Sequence, residues 1–289
     1  MKWSRPARAG LALLAAPALM LQGSLAPAAT SAADRPAGVI PPPIDAVVAE
    51  ASAGQSKRLT AESALELVRA PRPAGQPLNA GGASRPHRPA PALLVRLIRS
   101  LRATSRPGGG KVVGVVPAGS KYYRTPTVAW VLDLSPKGRY GRVPIPYTSK
   151  PRTGWISLRG LKRSHTPYFV RADLSRHRLT VTKLGHLVLR VPMATGAPAS
   201  PTPPGRYFVT DRVPFNPGGA LGAFAFGISG IQPHLPAGWR GGNQLAIHGT
   251  NNPASIGSSA SAGCLRVSRA TLERLKRILI LGTPVIIQA

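Results

Sequence analysis

The chain has 289 residues, of which 38 are Lys or Arg and 9 are Asp or Glu, so its formal net charge at pH 7 is +29. This length allows two modest domains with linkers. Its single cysteine excludes an internal disulfide framework and any zinc site built from several cysteines. A basic chain attracts polyanions, but no nucleic-acid-binding motif is present, so we expect no nucleic-acid partner, no metal and no cofactor.

Residues 1–33 have the pattern of a secretory signal peptide. Lys2, Arg5 and Arg8 form a charged start, an apolar run follows at 11–21, and Ser31–Ala33 offers a cleavage site. The apolar run is short for a membrane span. We therefore expect an exported protein that contacts the membrane only through this segment. The pattern leaves open whether the segment is cleaved or remains as an anchor.

Residues 34–91 are rich in Ala, Pro, Ser and Arg and predict a linker. A short helix is possible at Ala61–Ala70, and the Pro-rich part after it favours an extended spacer. Such a spacer could let a folded domain reach through a cell envelope. Plain disorder without a role explains the composition equally well.

The segment 92–165 predicts a small β domain that begins with a helix. Apolar residues recur at helical spacing from Leu93 to Leu101 with arginines between them, which predicts a short basic amphipathic helix. This helix could pack on the next domain or lie on an anionic membrane surface. We expect Trp130 and Trp155 in the domain core. Four later segments predict short strands: KVVGVVP, YYRTPTVAWVLDL, GRVPIPY and GWISLRGL.

Residues 166–289 predict a second β-rich domain with one or two short helices, so the expected fold class is mainly β. Alternating residues from Tyr168 onward predict a series of paired strands. The long Gly- and Pro-containing segment Asp211–Gly242 predicts a long loop, part of which forms a lid or wall of a cleft. Apolar spacing from Leu272 to Leu279 predicts a helix, with Ser268 as its N-cap and Gly282 as its stop.

The stretch Gln244–Val267, QLAIHGTNNPASIGSSASAGCLRV, contains the residues with the clearest chemical potential, His248 and Cys264. It predicts a strand that carries the imidazole, a loop of small and polar residues, and a second strand that begins beside the thiol. An imidazole that takes the thiol proton makes a strong nucleophile, so we expect His248 to lower the pKa of Cys264. The residue types alone also fit a small buried cysteine and an unrelated surface histidine.

Backbone groups near His248 and Cys264 could also take part in the chemistry. No acidic residue lies between Asp211 and Glu273, so the carbonyl of Gly249 is the nearest group that could fix the tautomer of His248. The small residues before Cys264 leave the amides of Gly263 and Cys264 able to face a developing oxyanion.

The segments IHGT, NNPASIG and SAGCLRV resemble the active-site signature of L,D-transpeptidases with a YkuD-like catalytic domain. The segments YFVRADLSRHRLTVTKLGHLVLRVPMATGA, SPTPPGRYFVTD and LGTPVIIQ follow the order and spacing of the same family, so the resemblance covers roughly Thr166–Ala289. GWISLRGL resembles the final strand and turn of bacterial SH3-like barrels. One departure is Ala262, where many members have a second histidine directly before the Gly-Cys pair.

The resemblance implies an exported cysteine acyltransferase that works in the cell wall or on the periplasmic side of the envelope, in peptidoglycan biosynthesis, cell-wall organisation and cell shape. Cys264 would attack the carbonyl between the third stem residue and the terminal D-alanine. His248, supported by Gly249, would take and return the proton. An amine of a neighbouring stem would then attack the thioester and form a 3→3 cross-link.

Three further residues are assigned to oxyanion or substrate binding: Ser261, Gly263 and Arg266. Residues two apart on a strand share a face, so Arg266 should lie on the same side as Cys264. Its guanidinium could then hold a carboxylate of a stem peptide through two hydrogen bonds.

Several alternatives remain open on the sequence. Water as the acceptor would make the protein an L,D-carboxypeptidase, and a non-catalytic wall-binding protein could use the SH3-like domain and the basic surface. The order of His before Cys conflicts with a papain-like protease. Anionic wall polymers are possible partners, but the arginines could equally be a compositional bias spread over a solvated surface.

Overall fold

The computed structural model describes residues 90–289. The predicted signal segment and nearly all of the predicted linker, including the possible helix at Ala61–Ala70, lie outside the described residues. Strands dominate the described part of the chain, which contains a single α-helix, so the mainly β fold class is confirmed.

Residues 92–166, here called the N-terminal module, form two small sheets. The first has three strands in the order β4-β1-β8, and the second has five in the order β3-β2-β7-β6-β5. The predicted strands of this region are therefore confirmed, whereas the SH3-like assignment stays a prediction. Trp130 is buried as expected, and Trp155 is half-buried. The strands are β1 (Ala92–Arg96), β2 (Leu101–Arg106), β3 (Gly109–Val116), β4 (Val128–Val131), β5 (Asp133–Leu134), β6 (Tyr140–Pro144), β7 (Thr153–Ser157) and β8 (Lys162–Thr166).

The helix predicted at the start of this module is wrong, because the segment forms β1 and the first residue of β2. A short apolar run fits a helix or a buried strand equally well by its spacing. Here β1 pairs on both edges, with Leu94 opposite Trp130 of β4 and opposite Ser164 of β8. Leu94 and the adjacent Val95 are both fully buried, which a one-sided amphipathic helix would not allow.

Residues 167–289, here called the C-terminal domain, are built on a sheet of eight strands in the order β11-β10-β9-β18-β13-β14-β15-β17. Two short strands, β12 and β16, pair in parallel beside it. The strands are β9 (Tyr168–Asp173), β10 (Arg178–Lys183), β11 (His186–Pro192), β12 (Thr195–Gly196), β13 (Gly205–Pro214), β14 (Phe224–Ile231), β15 (Gln244–His248), β16 (Ser259–Ser261), β17 (Leu265–Arg266) and β18 (Pro284–Gln288).

The predicted helix of this domain is confirmed as α1 (Arg269–Ile278). Ser268 is its N-cap, and the Ser268 side chain accepts a hydrogen bond from the N–H of Thr271. Its buried face, which includes Leu272 and Leu275, packs into the same hydrophobic core as strands β9, β10, β13 and β14. The chain then turns at Gly282, whose φ of +84° suits glycine, and enters β18.

The single long loop predicted for Asp211–Gly242 is wrong, because all of β14 lies within it. Its aromatic residues Phe224 and Phe226 belong to the core rather than to a lid. Two of the glycines that suggested a loop, Gly227 and Gly230, lie inside β14 and allow close packing there. A Cβ on Gly227 would lie 2.6 Å from Nε2 of Gln244, and one on Gly230 would lie 2.7 Å from the ring of Tyr207. Two shorter loops remain, at 215–223 and 232–243.

The N-terminal module and the C-terminal domain share a hydrophobic surface. Phe208 of β13 is fully buried within the hydrophobic cluster of the N-terminal module. Trp130 packs edge-on against Phe169 of β9, with ring centroids 6.1 Å apart. No helix in residues 90–289 is long and apolar enough to cross a membrane.

Candidate active site

Strand β15 places His248 on the side of the sheet opposite the core. Leu245 and Ile247 point into the core, and the alternation of a strand puts His248 on the other face, together with Gln244 and Ala246. His248 is nevertheless only 3% exposed. A histidine at this depth has a defined orientation.

The imidazole of His248 is fixed by the backbone of the next residue. Its Nδ1 lies 2.5 Å from the carbonyl oxygen of Gly249, as the sequence predicted. A carbonyl only accepts hydrogen bonds, so the Nδ1 atom carries the proton and the Nε2 atom keeps its lone pair. A side chain at position 249 would be crowded, since a Cβ there would lie 3.1 Å from Leu272 and 3.2 Å from Gly222.

His248 is neutral at ordinary pH. Burial lowers its pKa to about 4, the hydrogen bond to Gly249 raises it in part, and the nearby positive charge of Arg266 lowers it further. A neutral imidazole with a free Nε2 atom can act as a general base.

Cys264 lies directly before β17, which pairs in parallel with β15 so that Ile247 is opposite Leu265 and His248 is opposite Arg266. The half-buried thiol donates a long hydrogen bond of 3.9 Å to the carbonyl of Gln244. Since residues two apart on a strand share a face, Cys264, Arg266 and His248 lie on one side of this strand pair. The structure therefore places the two residues singled out in the sequence on the same side of two adjacent strand segments.

The expected lowering of the Cys264 pKa is wrong for the resting protein. Burial raises the pKa of the thiol, and this effect exceeds the opposing effects of a hydrogen bond from the Ala246 backbone and of the Arg266 charge. Both members of the pair are therefore neutral at rest, rather than a thiolate and an imidazolium.

Arg266 lies where the sequence placed it, beside both reactive groups. Its backbone is held by two hydrogen bonds with Ala194, of 2.9 and 3.1 Å. The residue is 9% exposed, and its Nε atom has no hydrogen-bond partner among the described residues. Burial lowers the pKa of this guanidinium below its ordinary value, while the neighbouring Cys264 raises it in part. A buried cation with an unused donor can bind an anionic group.

Ser261 and Gly263 were expected to bind the oxyanion or the substrate, but their polar groups bond within the turn before Cys264. The N–H of Gly263 donates to Oγ of Ser261 at 3.0 Å, and that hydroxyl donates to the carbonyl of Cys264 at 2.6 Å. Both groups thus shape the turn before the cysteine, and the Gly263 amide is not free for an oxyanion. The Cys264 amide is the remaining backbone donor of the pair.

The comparison with known proteins identifies the domain. The family model described as the L,D-transpeptidase catalytic domain YkuD matches residues 167–287. The protein named "Putative L,D-transpeptidase YkuD" in Bacillus licheniformis is 34% identical over 131 residues, which are 45% of this chain and 72% of that protein. This chain belongs to the YkuD family of L,D-transpeptidases. The Bacillus subtilis protein of the same name is 33% identical over 133 residues, 46% of this chain and 73% of that protein.

Solved structures of L,D-transpeptidases are also similar to parts of the chain. The enzyme from Mycobacterium smegmatis is 16% identical, with a TM-score of 0.37 over 65% of this chain and 99% of that one. A variant of the Enterococcus faecium L,D-transpeptidase is 19% identical, with a TM-score of 0.34 over 42% of this chain and 50% of that one. The chain thus spans about half the length of the second structure.

Two buried residues of this YkuD-family site were not found from the sequence, Thr202 and Gln232. The Thr202 hydroxyl accepts the N–H of Gly196 and donates to the carbonyl of Gly263, both at 2.8 Å. Its segment, SPTPPGRYFVTD, was part of the family resemblance and could have pointed to it.

Gln232 follows β14 and supports the cysteine turn from the other side. Its Nε2 atom donates to the carbonyls of Ser200 and Pro201, both at 3.0 Å, and to that of Ala262 at 3.3 Å. A Cβ on Gly263 would lie 2.1 Å from this Nε2 atom, so glycine is required there. No local pattern marks such a lone glutamine, because its partners are carbonyls far away in sequence.

No group of three or more His, Cys, Asp or Glu side chains within residues 90–289 is placed to hold a metal ion.

Proposed function

We propose that the chain is an exported L,D-transpeptidase that joins peptidoglycan stem peptides by 3→3 cross-links through a thioester on Cys264. Its membership of the YkuD family supports peptidoglycan transpeptidation in general. We propose in addition that Cys264 is the nucleophile, that the cross-links are of the 3→3 type and that the protein is exported.

The state of His248 is the observation on which the mechanism depends most. It is neutral, its Nδ1 proton is held by Gly249, and its Nε2 lone pair is free on the strand that pairs with the cysteine segment. A base in this state accepts a proton at one defined atom.

Acylation then follows from the neutral pair. As the Cys264 sulfur attacks the carbonyl carbon that precedes the terminal D-alanine, its proton passes to Nε2 of His248. The resulting imidazolium returns this proton to the D-alanine nitrogen as the C–N bond breaks. D-Alanine leaves, and the stem peptide remains attached to Cys264 as a thioester. The Cys264 amide is the backbone group we assign to the developing oxyanion.

Deacylation reverses the proton path. His248 Nε2 takes a proton from the attacking amine of a neighbouring stem, the amide bond forms, and the thiol regains its proton. With water as the attacking group, the same steps release a free stem and the protein acts as an L,D-carboxypeptidase.

Arg266 has two roles in this proposal. Its charge favours the thiolate as it develops, since it already lowers the pKa of Cys264. Its unpartnered Nε atom can help bind a stem-peptide carboxylate. Arg266→Lys keeps a positive charge but loses the planar fork, so KM for the donor peptide should rise about tenfold or more with a smaller change in kcat. An unchanged KM would show that Arg266 does not bind the carboxylate of the donor peptide.

We also propose that the protein is exported. The charged and apolar start of the sequence supports export, and the substrate chemistry requires a site outside the membrane. Export can be measured by fractionation of cells that produce the full chain.

The test uses the purified chain with a disaccharide tetrapeptide, followed by mass spectrometry of the products. Release of D-alanine with a cross-linked dimer supports the transpeptidase, and Cys264→Ser should abolish both. Release of D-alanine with free tripeptide as the only other product would show that the protein is an L,D-carboxypeptidase instead. No turnover by a folded wild type, together with binding to purified wall, would support the non-catalytic binding protein.

A further inference from the structure

Three arginines form a row across the exposed face of the main sheet. Cross-strand pairing places Thr180 opposite Arg190 and opposite Arg171, and it places Ile286 opposite Arg171 and opposite Arg206. The row therefore runs Arg190, Thr180, Arg171, Ile286, Arg206 through β11, β10, β9, β18 and β13. Directly opposed residues share a face, so the three guanidiniums lie on the same side of the sheet.

The spacing of this row is set by the sheet itself. Neighbouring strands are about 4.8 Å apart, so arginines on alternate strands are about 10 Å apart and the whole row spans about 19 Å. No single phosphate or carboxylate group can contact all three guanidiniums. An extended chain of anionic groups can.

Of the three arginines, Arg171 and Arg190, but not Arg206, line a groove of about 670 Å³ whose other lining residues include Arg176 and Arg178. The N-terminal module stands beside it. Ile286 packs against the hydrophobic cluster of that module, and a Cβ on Gly205 would lie 2.8 Å from Pro151. All of its lining residues belong to the C-terminal domain, and the groove is a concave surface rather than a flat area of solvated side chains.

The charges of the row are not neutralised by the protein. Arg171, Arg190 and Arg206 are exposed, and none of them forms an ion pair with a carboxylate in residues 90–289. The carboxylate lining the groove, Asp173, is already engaged. It accepts hydrogen bonds from Ser175 at 2.9 Å and from the N–H of Arg176 at 3.0 Å.

We propose that this arginine row binds an extended polyanion, one whose phosphate or carboxylate groups recur along a flexible chain. Guanidinium groups suit both kinds of oxyanion because their donors match two oxygens at once. The groove lies at the β11 side of the sheet, whereas Cys264 and His248 lie at the β15 and β17 side. Binding here would hold the protein to its polymer while leaving the cleft free, and it does not depend on the reaction proposed above.

The test compares two triple variants that remove the same charge. Arg171→Gln/Arg190→Gln/Arg206→Gln removes the row. Arg102→Gln/Arg139→Gln/Arg159→Gln removes three exposed arginines of the N-terminal module instead. Fluorescently labelled long-chain polyphosphate and poly-L-glutamate serve as the phosphate and carboxylate probes, and binding is measured by anisotropy at 50 and 200 mM salt.

We expect the row variant to bind the preferred probe at least tenfold more weakly and to show a smaller salt dependence, by up to about three units of the slope of log K against log salt. The control variant should lose less than threefold. The probe bound more tightly by the wild type identifies phosphate or carboxylate as the natural chemistry. Equal losses in the two variants, or no binding of either probe by the wild type, would overturn the proposal.

Discussion

Tyr122 of the N-terminal module is hydrogen-bonded to Asn243, the residue directly before strand β15. The Tyr122 hydroxyl donates to Oδ1 of Asn243 at 2.9 Å and accepts the N–H of Asn243 at 3.3 Å. The carbonyl of Asn243 accepts the N–H of Gln232 at 2.7 Å, and the next carbonyl, that of Gln244, contacts the Cys264 thiol. The N-terminal module is thus connected to the cysteine by a short series of contacts.

Replacing this hydroxyl should therefore affect the reaction without unfolding the protein. Tyr122→Phe keeps the ring and loses two hydrogen bonds, each worth about 1 kcal/mol, so we expect kcat/KM to fall about three- to tenfold. The rate of Cys264 alkylation should change as well, because the contact of the thiol with Gln244 is altered. Tyr140→Phe, elsewhere in the same module, is the control and should leave both rates unchanged. Equal behaviour of the two variants would show that the contact has no influence on the site.

The sequence predicted the parts of this structure that depend on local pattern or on the family signature. The strand with His248, the strand after Cys264 and the capped helix α1 are present, whereas the predicted loop between the two strands contains the short strand β16. The prediction of a helix at Leu93–Leu101 was wrong because the spacing of apolar residues in so short a run fits a helix and a strand paired on both edges equally well.

The rest of the site depends on contacts between distant segments. Gln232 and Tyr122 matter because of carbonyls and amides that only the fold brings near. The pKa of Cys264 was misjudged for the same reason, since burial of the thiol outweighs the charge beside it. The loop prediction for 211–242 failed because glycines needed for close packing inside a strand look like loop glycines in the sequence.

Gly263→Ala should damage the site more than a glycine substitution elsewhere. The residue has a φ of +114°, and a Cβ would collide with Gln232 at 2.1 Å. Gly257 is a matched control because its φ is +95° but a Cβ would meet nothing within 4 Å. We expect Gly257→Ala to lose about 1 kcal/mol in the free energy of unfolding and to keep activity. Gly263→Ala should lose at least 1 kcal/mol more and most of its activity, as measured by urea unfolding and D-alanine release. Similar losses in both variants would mean that the contact with Gln232 is unimportant.

The burial of neutral His248 predicts a loss of stability in mild acid. Its pKa is about 4 in the folded protein against 6.5 ordinarily, so between these values the unfolded chain binds more protons. Stability should therefore fall as pH drops from 6.5 to 4, by up to about 3 kcal/mol from this residue. Urea unfolding at pH 7 and pH 4.5 should show this loss in the wild type and a smaller one in His248→Gln. The same loss in both proteins would contradict the buried neutral histidine.

The raised pKa of Cys264 predicts slow alkylation of the resting protein. Iodoacetamide reacts with the thiolate, so its rate at pH 7 should be below that of free cysteine and should rise only above the free thiol pKa of about 8.5. Arg266→Gln removes a charge that lowers this pKa, so its profile should move to still higher pH. Fast alkylation of the wild type at pH 6 would instead indicate a resting thiolate paired with imidazolium.

The most direct measurement of the central claim is the mass of the protein during turnover. The chain is mixed with a disaccharide tetrapeptide, quenched in acid within seconds, and digested to locate any adduct. The mechanism predicts a mass increase equal to the donor without its D-alanine, on the peptide that contains Cys264, and no adduct in Cys264→Ala. D-Alanine release without this adduct, or release that persists in Cys264→Ala, would contradict the assignment of Cys264 as the nucleophile.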